Sequence, residues 1–155
     1  MEMEREGFNI RDFMAEILKE SELIGTNHKI NGQLEYDGEI FASHDKLKQA
    51  IRIFIDNSMK YTPAGGEINI CLKASNKYIY IVIKDNGIGI SKEDLPHIFE
   101  RFYRADQARA RNKKGGTGLG LAIARVIIEQ HEGQINIESE LEKGTSITLI
   151  LPKNT

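Results

Sequence analysis

Residues 47–72 read LKQAIRIFIDNSMKYTPAGGEINICL, and the spacing of their apolar side chains changes once along this stretch. Up to Met59 the apolar side chains recur every three or four residues, which predicts an amphipathic helix that begins after a cap at Ser43. The helix is expected to stop at residues 62–66, where a proline and two glycines occur close together. From Ile68 apolar and polar residues alternate, as they do in a half-buried strand.

The remaining chain repeats both patterns. Helices and neighbouring antiparallel strands together predict an α/β fold of the α+β kind, a two-layer sandwich with one mixed, mostly antiparallel sheet and helices on one face. The further expected helices run from a cap at Asn9 to about Glu20, from Ser91 to Phe99 as a short helix, and over 121–130. The further expected strands are two short ones at 30–36 and 39–42 joined by a tight turn, a hairpin of 68–72 with 78–84, and a closing hairpin of 134–138 with 145–151.

Composition limits the class of protein. With 155 residues, of which 40% are apolar, residues 1–155 are expected to form one compact domain. The net charge is −2 with mixed signs, so neither nucleic acid nor a membrane surface is indicated as a partner. Cys71 is the only cysteine, which excludes an internal disulfide and fits the cytoplasm. No apolar run approaches the ~20 residues of a membrane span, so if the chain belongs to a membrane-anchored protein, the anchor is expected elsewhere in that protein.

Three polar features lie at the ends of expected elements. The first is Asn57 with Lys60 and Tyr61, whose spacing places the three side chains on one helical face. The amide oxygen of Asn57 could ligate Mg²⁺, which accepts few protein oxygens and keeps the rest of its shell from phosphate and water. A polar helix end in solvent would show the same residues, so the pattern alone leaves both interpretations open.

The second feature is Asp85 with Gly87 and Gly89, where an apolar strand ends on a carboxylate and turns through two glycines. Glycines permit the backbone to lie close to a flat ligand, and an ionised carboxylate only accepts hydrogen bonds. Adenine offers an amino donor where guanine has a carbonyl oxygen, so a carboxylate facing this position selects ATP over GTP. An ordinary Asp-Gly turn is the alternative.

The third feature is the run GTGLG at residues 116–120, directly before an expected helix. Free backbone N–H groups and the positive end of the helix dipole favour phosphate there, and the glycines let phosphate oxygens approach. The run matches neither the dinucleotide-binding nor the Walker fingerprint. A glycine-rich helix start without a ligand is the alternative.

These motifs together resemble those of bacterial sensor histidine kinases, in the family's order and spacing from about Asp45 to Pro152. The resemblance implies the catalytic ATP-binding domain of these kinases, with the Bergerat fold that gyrase and the heat-shock chaperones share. The matching motifs are the N box around Asn57, the first glycine box at 85–90, the F box at 99–104, the second glycine box at 116–121 and a final short glycine motif at 142–145.

The resemblance also implies roles for matching residues. Asn57 would bind Mg²⁺, Lys60 a phosphate, and Tyr61 the ring or sugar region of ATP. Asp85 would accept a hydrogen bond from the adenine amino group, and the two glycines after it would shape the purine pocket. Either Arg101 or Arg104 would reach the terminal phosphate, and residues 104–116 would form the ATP lid. The other nucleotide-binding positions that the motifs imply are Ile90, Phe99, Gly116, Thr117, Gly118, Leu119, Gly120, Leu121 and Thr145.

The reaction implied by the resemblance needs a second domain. None of the four histidines, His28, His44, His97 and His131, has the sequence surroundings of the family's phosphoacceptor. The chain is therefore expected to bind ATP and Mg²⁺ as a monomer. It would donate the γ-phosphoryl group only to a histidine of the dimerisation domain of a full-length homodimer, and would serve a response regulator indirectly. The parent protein is expected to be a membrane-associated sensor.

Ile53 departs from the family pattern. It lies one helical turn before Asn57, where many members have a second asparagine and the hydrolysing relatives have an acidic residue. Isoleucine cannot accept a proton, so efficient hydrolysis by that route is not expected. Two alternatives stay open. A nucleotide-sensing module would bind ATP without phosphorylating an added acceptor domain, and a self-contained ATPase would show turnover by the isolated chain.

Overall fold

The structure is a computed structural model that describes residues 3–24, 27–101, 103 and 119–153. Its regular elements in these residues are seven strands, three α-helices and one 3₁₀ turn. In chain order they are β1 (Glu6–Asn9), α1 (Ile10–Ile24), β2 (Lys29–Leu34), β3 (Glu39–Ala42), α2 (His44–Lys60), β4 (Glu67–Ala74), β5 (Tyr78–Asp85), the 3₁₀ turn (Leu95–His97), α3 (Gly120–Gln130), β6 (Gln134–Glu140) and β7 (Gly144–Pro152).

Five strands form the main sheet, in the order β2-β4-β5-β7-β6. β2 runs parallel to β4, and the other neighbouring pairs are antiparallel. The prediction of a mixed, mostly antiparallel sheet is therefore confirmed. Both hairpins predicted from alternation, β4 with β5 and β6 with β7, are also confirmed. Leu72 lies opposite Ile81 in the first hairpin, and Ile137 lies opposite Ile147 in the second.

A second, two-stranded sheet is formed by β1 and β3, with Phe8 opposite Ile40. The predicted hairpin of residues 30–36 with 39–42 is wrong, because β2 pairs with β4 and places Ile30 opposite Ile68. The strand β1 is absent from the prediction. Alternation identifies a strand but not its partner, because the partner is chosen by buried faces that meet only in the folded chain.

The main sheet buries one face against the helices. Its inward side chains, such as Ile70, Ile81 and Leu149, are fully buried. From the helices, Ile17 and Phe54 belong to the same apolar cluster. Burial of each side chain of this size contributes about 1.5–3 kcal/mol, so this layer supplies most of the favourable energy of folding. The prediction of helices on one face of a sheet is confirmed.

The helix starts follow the predicted caps. The side chain of Ser43 accepts a hydrogen bond from the N–H of Lys46 at 3.4 Å, and Asn9 accepts one from the N–H of Asp12 at 2.9 Å. α1 continues to Ile24, four residues beyond its expected end at Glu20. Within the described ranges, no helix combines the length and the apolar character that crossing a membrane requires.

The predicted helix from Ser91 to Phe99 is reduced to turns and the short 3₁₀ segment. Ser91 does act as a local cap, since its hydroxyl accepts a hydrogen bond from the N–H of Asp94 at 3.1 Å. The N–H of His97 bonds to the carbonyl of Asp94 at 2.9 Å, three residues back, rather than four as in an α-helix. Pro96 has no N–H to continue the pattern, and the segment is too short to propagate a helix by itself.

The polar features predicted from the sequence lie near one end of the main sheet. β5 ends at Asp85, which lies opposite Ile68 of β4 and Thr145 of β7. The chain from α2 enters β4 at this end. α3 starts nearby, because a Cβ added to Gly120 would lie 3.5 Å from Cγ2 of Ile53 on α2. The fold thus brings together element ends that are distant in sequence.

Candidate functional site

A cleft of about 900 Å³ opens at this end of the sheet. The end of α2, the loop after β5, the β6–β7 turn and the start of α3 surround it. Its volume lies within the range of pockets for small molecules and cofactors. The predicted site residues that line the cleft are Asn57, Lys60, Tyr61, Asp85, Gly87, Gly89, Ile90, Gly120, Leu121 and Thr145.

Three predicted residues are described but lie outside the lining of the cleft. Arg101 is exposed, and Leu119 precedes α3 as its N-cap residue. Phe99 packs against the apolar core, with the guanidinium of Arg125 5.6 Å from its ring centroid. The other predicted positions, Arg104, Gly116, Thr117 and Gly118, and the whole predicted lid at 104–116, lie outside the described residues.

Asp85 is held in place by three donors. Its Oδ1 accepts hydrogen bonds from the N–H of Gly87 at 2.9 Å and the N–H of Thr145 at 3.2 Å. The side chain of Ser58 donates a further hydrogen bond to the carboxylate. Burial raises the pKa of Asp85 above its ordinary value, and these hydrogen bonds act in the opposite direction. The result is a buried acceptor in a fixed position on the wall of the cleft.

The glycines after Asp85 allow the backbone of neighbouring segments to lie close to the loop that follows β5. A Cβ added to Gly87 would lie 2.4 Å from the carbonyl oxygen of Tyr61. One added to Gly89, which has φ +77°, would lie 2.1 Å from the carbonyl oxygen of Glu140. The glycines therefore let the end of α2 and the β6–β7 turn pack directly against the loop. They shape the cleft through these contacts.

Hydrogen bonds fix the same loop on both sides. The N–H of Ile88 donates to the carbonyl of Tyr61 at 3.1 Å, on the α2 side. On the other side, the N–H of Glu142 donates to the carbonyl of Ile88 at 2.7 Å, and the N–H of Ile90 donates to Oγ of Ser139 at 2.7 Å. The loop is thus hydrogen-bonded to the segments on both sides of it in the cleft wall.

The end of α2 supplies polar groups to the cleft. Asn57 and Lys60 both line it, and the ammonium of Lys60 lies 5.4 Å from the ring centroid of Tyr61. The described residues contain no group of three His, Cys, Asp or Glu side chains arranged to hold a metal. An amide oxygen combined with phosphate and water oxygens is a donor set that suits Mg²⁺, so the residues present fit this ion.

Several lining residues were missed by sequence reasoning. Ser91, Asp94 and Tyr103 form a polar chain, in which the hydroxyl of Ser91 donates to Asp94 at 3.0 Å and the hydroxyl of Tyr103 donates to the same carboxylate. The bond to Asp94 raises the pKa of Tyr103 to about 12. The F box at 99–104 includes Tyr103, but only tertiary packing brings these three side chains together at the cleft. The other missed lining residues include Ser58, Ile98, Ile137, Leu141, Glu142 and Ile147.

The fold and the cleft define the class of protein. Residues 42–155 match the family described as histidine kinase-, DNA gyrase B-, and HSP90-like ATPase, and the chain belongs to this family. It is therefore an ATP-binding domain, as the motifs predicted.

Similar proteins are named as sensor kinases. The chain is 41% identical to the sensor histidine kinase WalK of Bacillus subtilis over 96% of its own length and 25% of WalK. It is 44% identical to the sensor histidine kinase RppB of Synechocystis over 74% of its length and 26% of RppB. The chain thus spans about a quarter of the length of these curated relatives.

Solved structures agree with this assignment. The mycobacterial sensor histidine kinase MprB superimposes with a TM-score of 0.84 at 25% identity, covering 96% of this chain and 99% of that one. The catalytic domain of the histidine kinase ThkA gives 0.82 at 25% identity, covering 99% of this chain and all of that one (100%). The predicted fold class and family are therefore confirmed.

Proposed function

We propose that residues 1–155 form one catalytic domain of a sensor histidine kinase, which presents ATP with Mg²⁺ to a histidine of a separate dimerisation domain. The observation that carries this proposal is the carboxylate of Asp85, which is fixed in the cleft by the N–H groups of Gly87 and Thr145. Two similar proteins are named as sensor histidine kinases, and their names support the type of reaction.

The base of ATP would lie at the Asp85 end of the cleft. The adenine amino group would donate to the carboxylate, whereas guanine would place a second acceptor against it. Because Asp85 is buried and bonded to backbone groups, it cannot turn away from a mismatched base. We therefore expect strong preference for ATP over GTP.

The phosphates would lie toward the start of α3. Gly120 and Leu121 line the cleft there, and the N-terminus of a helix favours anions. Asn57 would hold Mg²⁺ through its amide oxygen, and Lys60 would bind a phosphate. When bound, Mg²⁺ would neutralise charge on the phosphates. The motifs support further phosphate contacts from Arg101 or Arg104 and from the backbone of residues 116–121.

In the proposed transfer, a nitrogen of the acceptor imidazole forms a bond to the γ-phosphorus, and the bond to the oxygen that bridges to the β-phosphate breaks. ADP is the leaving group, and the domain contributes orientation and charge neutralisation. Ile53 lines the cleft one turn before Asn57 and has no group that could take a proton from water. This supports transfer to a partner rather than hydrolysis.

The proposed partners follow from the same reaction. The acceptor histidine would belong to the dimerisation domain of the parent homodimer, and a response regulator would receive the phosphoryl group from that histidine. We propose that this domain is monomeric by itself and lies on the cytoplasmic side of a membrane-associated sensor.

The test combines binding with transfer. Calorimetry in magnesium buffer should show heat with ATP and little with GTP. The dimerisation domain of the parent protein is then added with ATP that carries a labelled γ-phosphate, and label should appear on its histidine. Tight ATP binding without labelling would support a nucleotide-sensing module instead. Release of phosphate by the isolated chain would support an ATPase.

A further inference from the structure

The β6–β7 turn, residues 140–144, places an apolar side chain on the wall of the cleft. Leu141 lines the cleft although 57% of its surface is exposed. Of the large apolar side chains that are exposed in the described ranges, it is the one that lines the cleft. Single exposed apolar residues are common, but one on a ligand cleft can lose its contact with water when a ligand binds.

The position of Leu141 is set by backbone contacts. Its Cα lies 2.9 Å from where a Cβ of Gly89 would be, so the two segments are in direct contact. The next residue, Glu142, donates its N–H to Ile88 at 2.7 Å. A Cβ on Gly144, which has φ +122°, would lie 2.0 Å from the carbonyl oxygen of Asp85. The turn therefore packs directly against the end of β5 and the loop that follows it.

Backbone contacts indicate which part of a nucleotide lies next to this turn. Gly144 packs against the carbonyl of Asp85 and Leu141 packs against Gly89, so the turn lies at the Asp85 end of the cleft. The N-terminus of α3 at Gly120, on another wall of the cleft, attracts phosphates. Leu141 is therefore next to the end of the cleft that favours the uncharged base, which is also the end where Asp85 offers its acceptor.

We propose that the side chain of Leu141 covers the purine ring of the nucleotide whose amino group donates to Asp85. This inference rests on the proposed binding of ATP in this cleft. Contact between an apolar side chain and a flat ring stabilises the bound base and does not change the contacts of the phosphates. Leu141 therefore contributes equally to the binding of ATP and of adenosine.

The test is the variant Leu141→Ala, with the affinities for ATP and adenosine each measured by calorimetry. Removing a side chain that is half covered by the ligand weakens both affinities about five- to tenfold. Leu141→Met, which keeps the volume, retains the affinity of the wild type. The control is Leu23→Ala on α1, where a leucine that is 73% exposed lies outside the lining of the cleft and changes neither affinity.

The outcomes separate this inference from the proposed function. Unchanged affinity of Leu141→Ala, in a chain whose wild type binds ATP, overturns the role of Leu141 alone. Weaker binding of ATP with unchanged binding of adenosine also overturns it, because the contact would then be with the phosphates. A wild-type chain that binds no ATP overturns the proposed function and this inference with it.

Discussion

Oδ1 of Asp85 accepts a hydrogen bond from the backbone N–H of Thr145 at 3.2 Å, which links the end of β5 to the start of β7. The N–H of Gly87 donates to the same oxygen at 2.9 Å. The position of the carboxylate is thus fixed by backbone groups of two separate segments. A side chain held in this way is available for recognition without further ordering, which lowers the entropy cost of binding.

We expect Asp85→Asn to keep this link and to weaken ATP binding. An amide oxygen can still accept from both backbone N–H groups, but the amide nitrogen is a donor and would face the amino donor of adenine. The loss of a hydrogen bond to a charged acceptor costs about 1.5–3 kcal/mol, so affinity should fall at least about tenfold. Calorimetry with ATP measures this, and unchanged affinity would contradict the role of Asp85.

The same variant should differ from the wild type in the pH dependence of its stability. Burial raises the pKa of Asp85, so its favourable contribution is present at low pH and is lost as pH rises through the raised pKa. Asparagine has no such loss. The melting temperature of Asp85→Asn relative to that of the wild type should therefore increase from about pH 4 to about pH 8. A difference that stays constant over this range would argue against the raised pKa.

We expect Asn57→Ala to remove most of the dependence of ATP affinity on Mg²⁺, because the amide oxygen is the proposed protein ligand. Titrations with ATP in magnesium buffer and in a metal chelator measure this dependence. The control is Asp56→Ala, which removes the neighbouring carboxylate that also lines the cleft and pairs with Arg52 at 3.0 Å. If Asp56→Ala and not Asn57→Ala removed the dependence, the metal ligand would be Asp56.

Gly89→Ala should destabilise the domain more than Gly65→Ala. Both glycines have positive φ, +77° and +89°, where a side chain costs about 1–2 kcal/mol. At Gly65 a Cβ meets nothing within 4 Å, whereas at Gly89 it would meet the carbonyl oxygen of Glu140 at 2.1 Å. Urea unfolding of both variants gives the difference. Equal losses of stability in the two variants would show that the loop after β5 and the β6–β7 turn can separate at little cost in free energy.

His131 should make stability depend on pH in the mildly acidic range. Its Nδ1 donates to the carbonyl of Ile127 at 2.8 Å, and its Nε2 accepts from the N–H of Ser43 at 3.1 Å, so the ring is neutral. Burial lowers the pKa of His131 from its ordinary 6.5. Its contribution to stability is therefore complete above that pH and is lost as pH falls through the lowered pKa.

The variant His131→Gln tests this prediction, because glutamine does not titrate. Its stability should change less than that of the wild type between about pH 7 and about pH 5 in urea unfolding. The control is His97→Gln, at an exposed histidine whose side chain keeps 48% of its surface accessible. The prediction fails if His131→Gln keeps the full pH dependence of the wild type.

Local patterns determined much of the fold and the site. The helical spacing up to Met59 and the cap at Ser43 predicted α2, and alternation predicted the β4–β5 and β6–β7 hairpins. The polar residues at the ends of these elements, such as Asn57 and Asp85, could be named as candidates. This succeeded because propensity, capping and periodicity act between residues that are near one another in sequence.

Tertiary structure decided what those patterns leave open. The partner of β2 is β4, and Leu141 and Ser58 reach the cleft because distant segments pack together. The short segment after Ser91 lacks the length for a helix of its own, so its form depends on what it packs against. Partners and cleft walls are set by close packing between segments far apart in sequence, and local periodicity contains no information about which segments will meet.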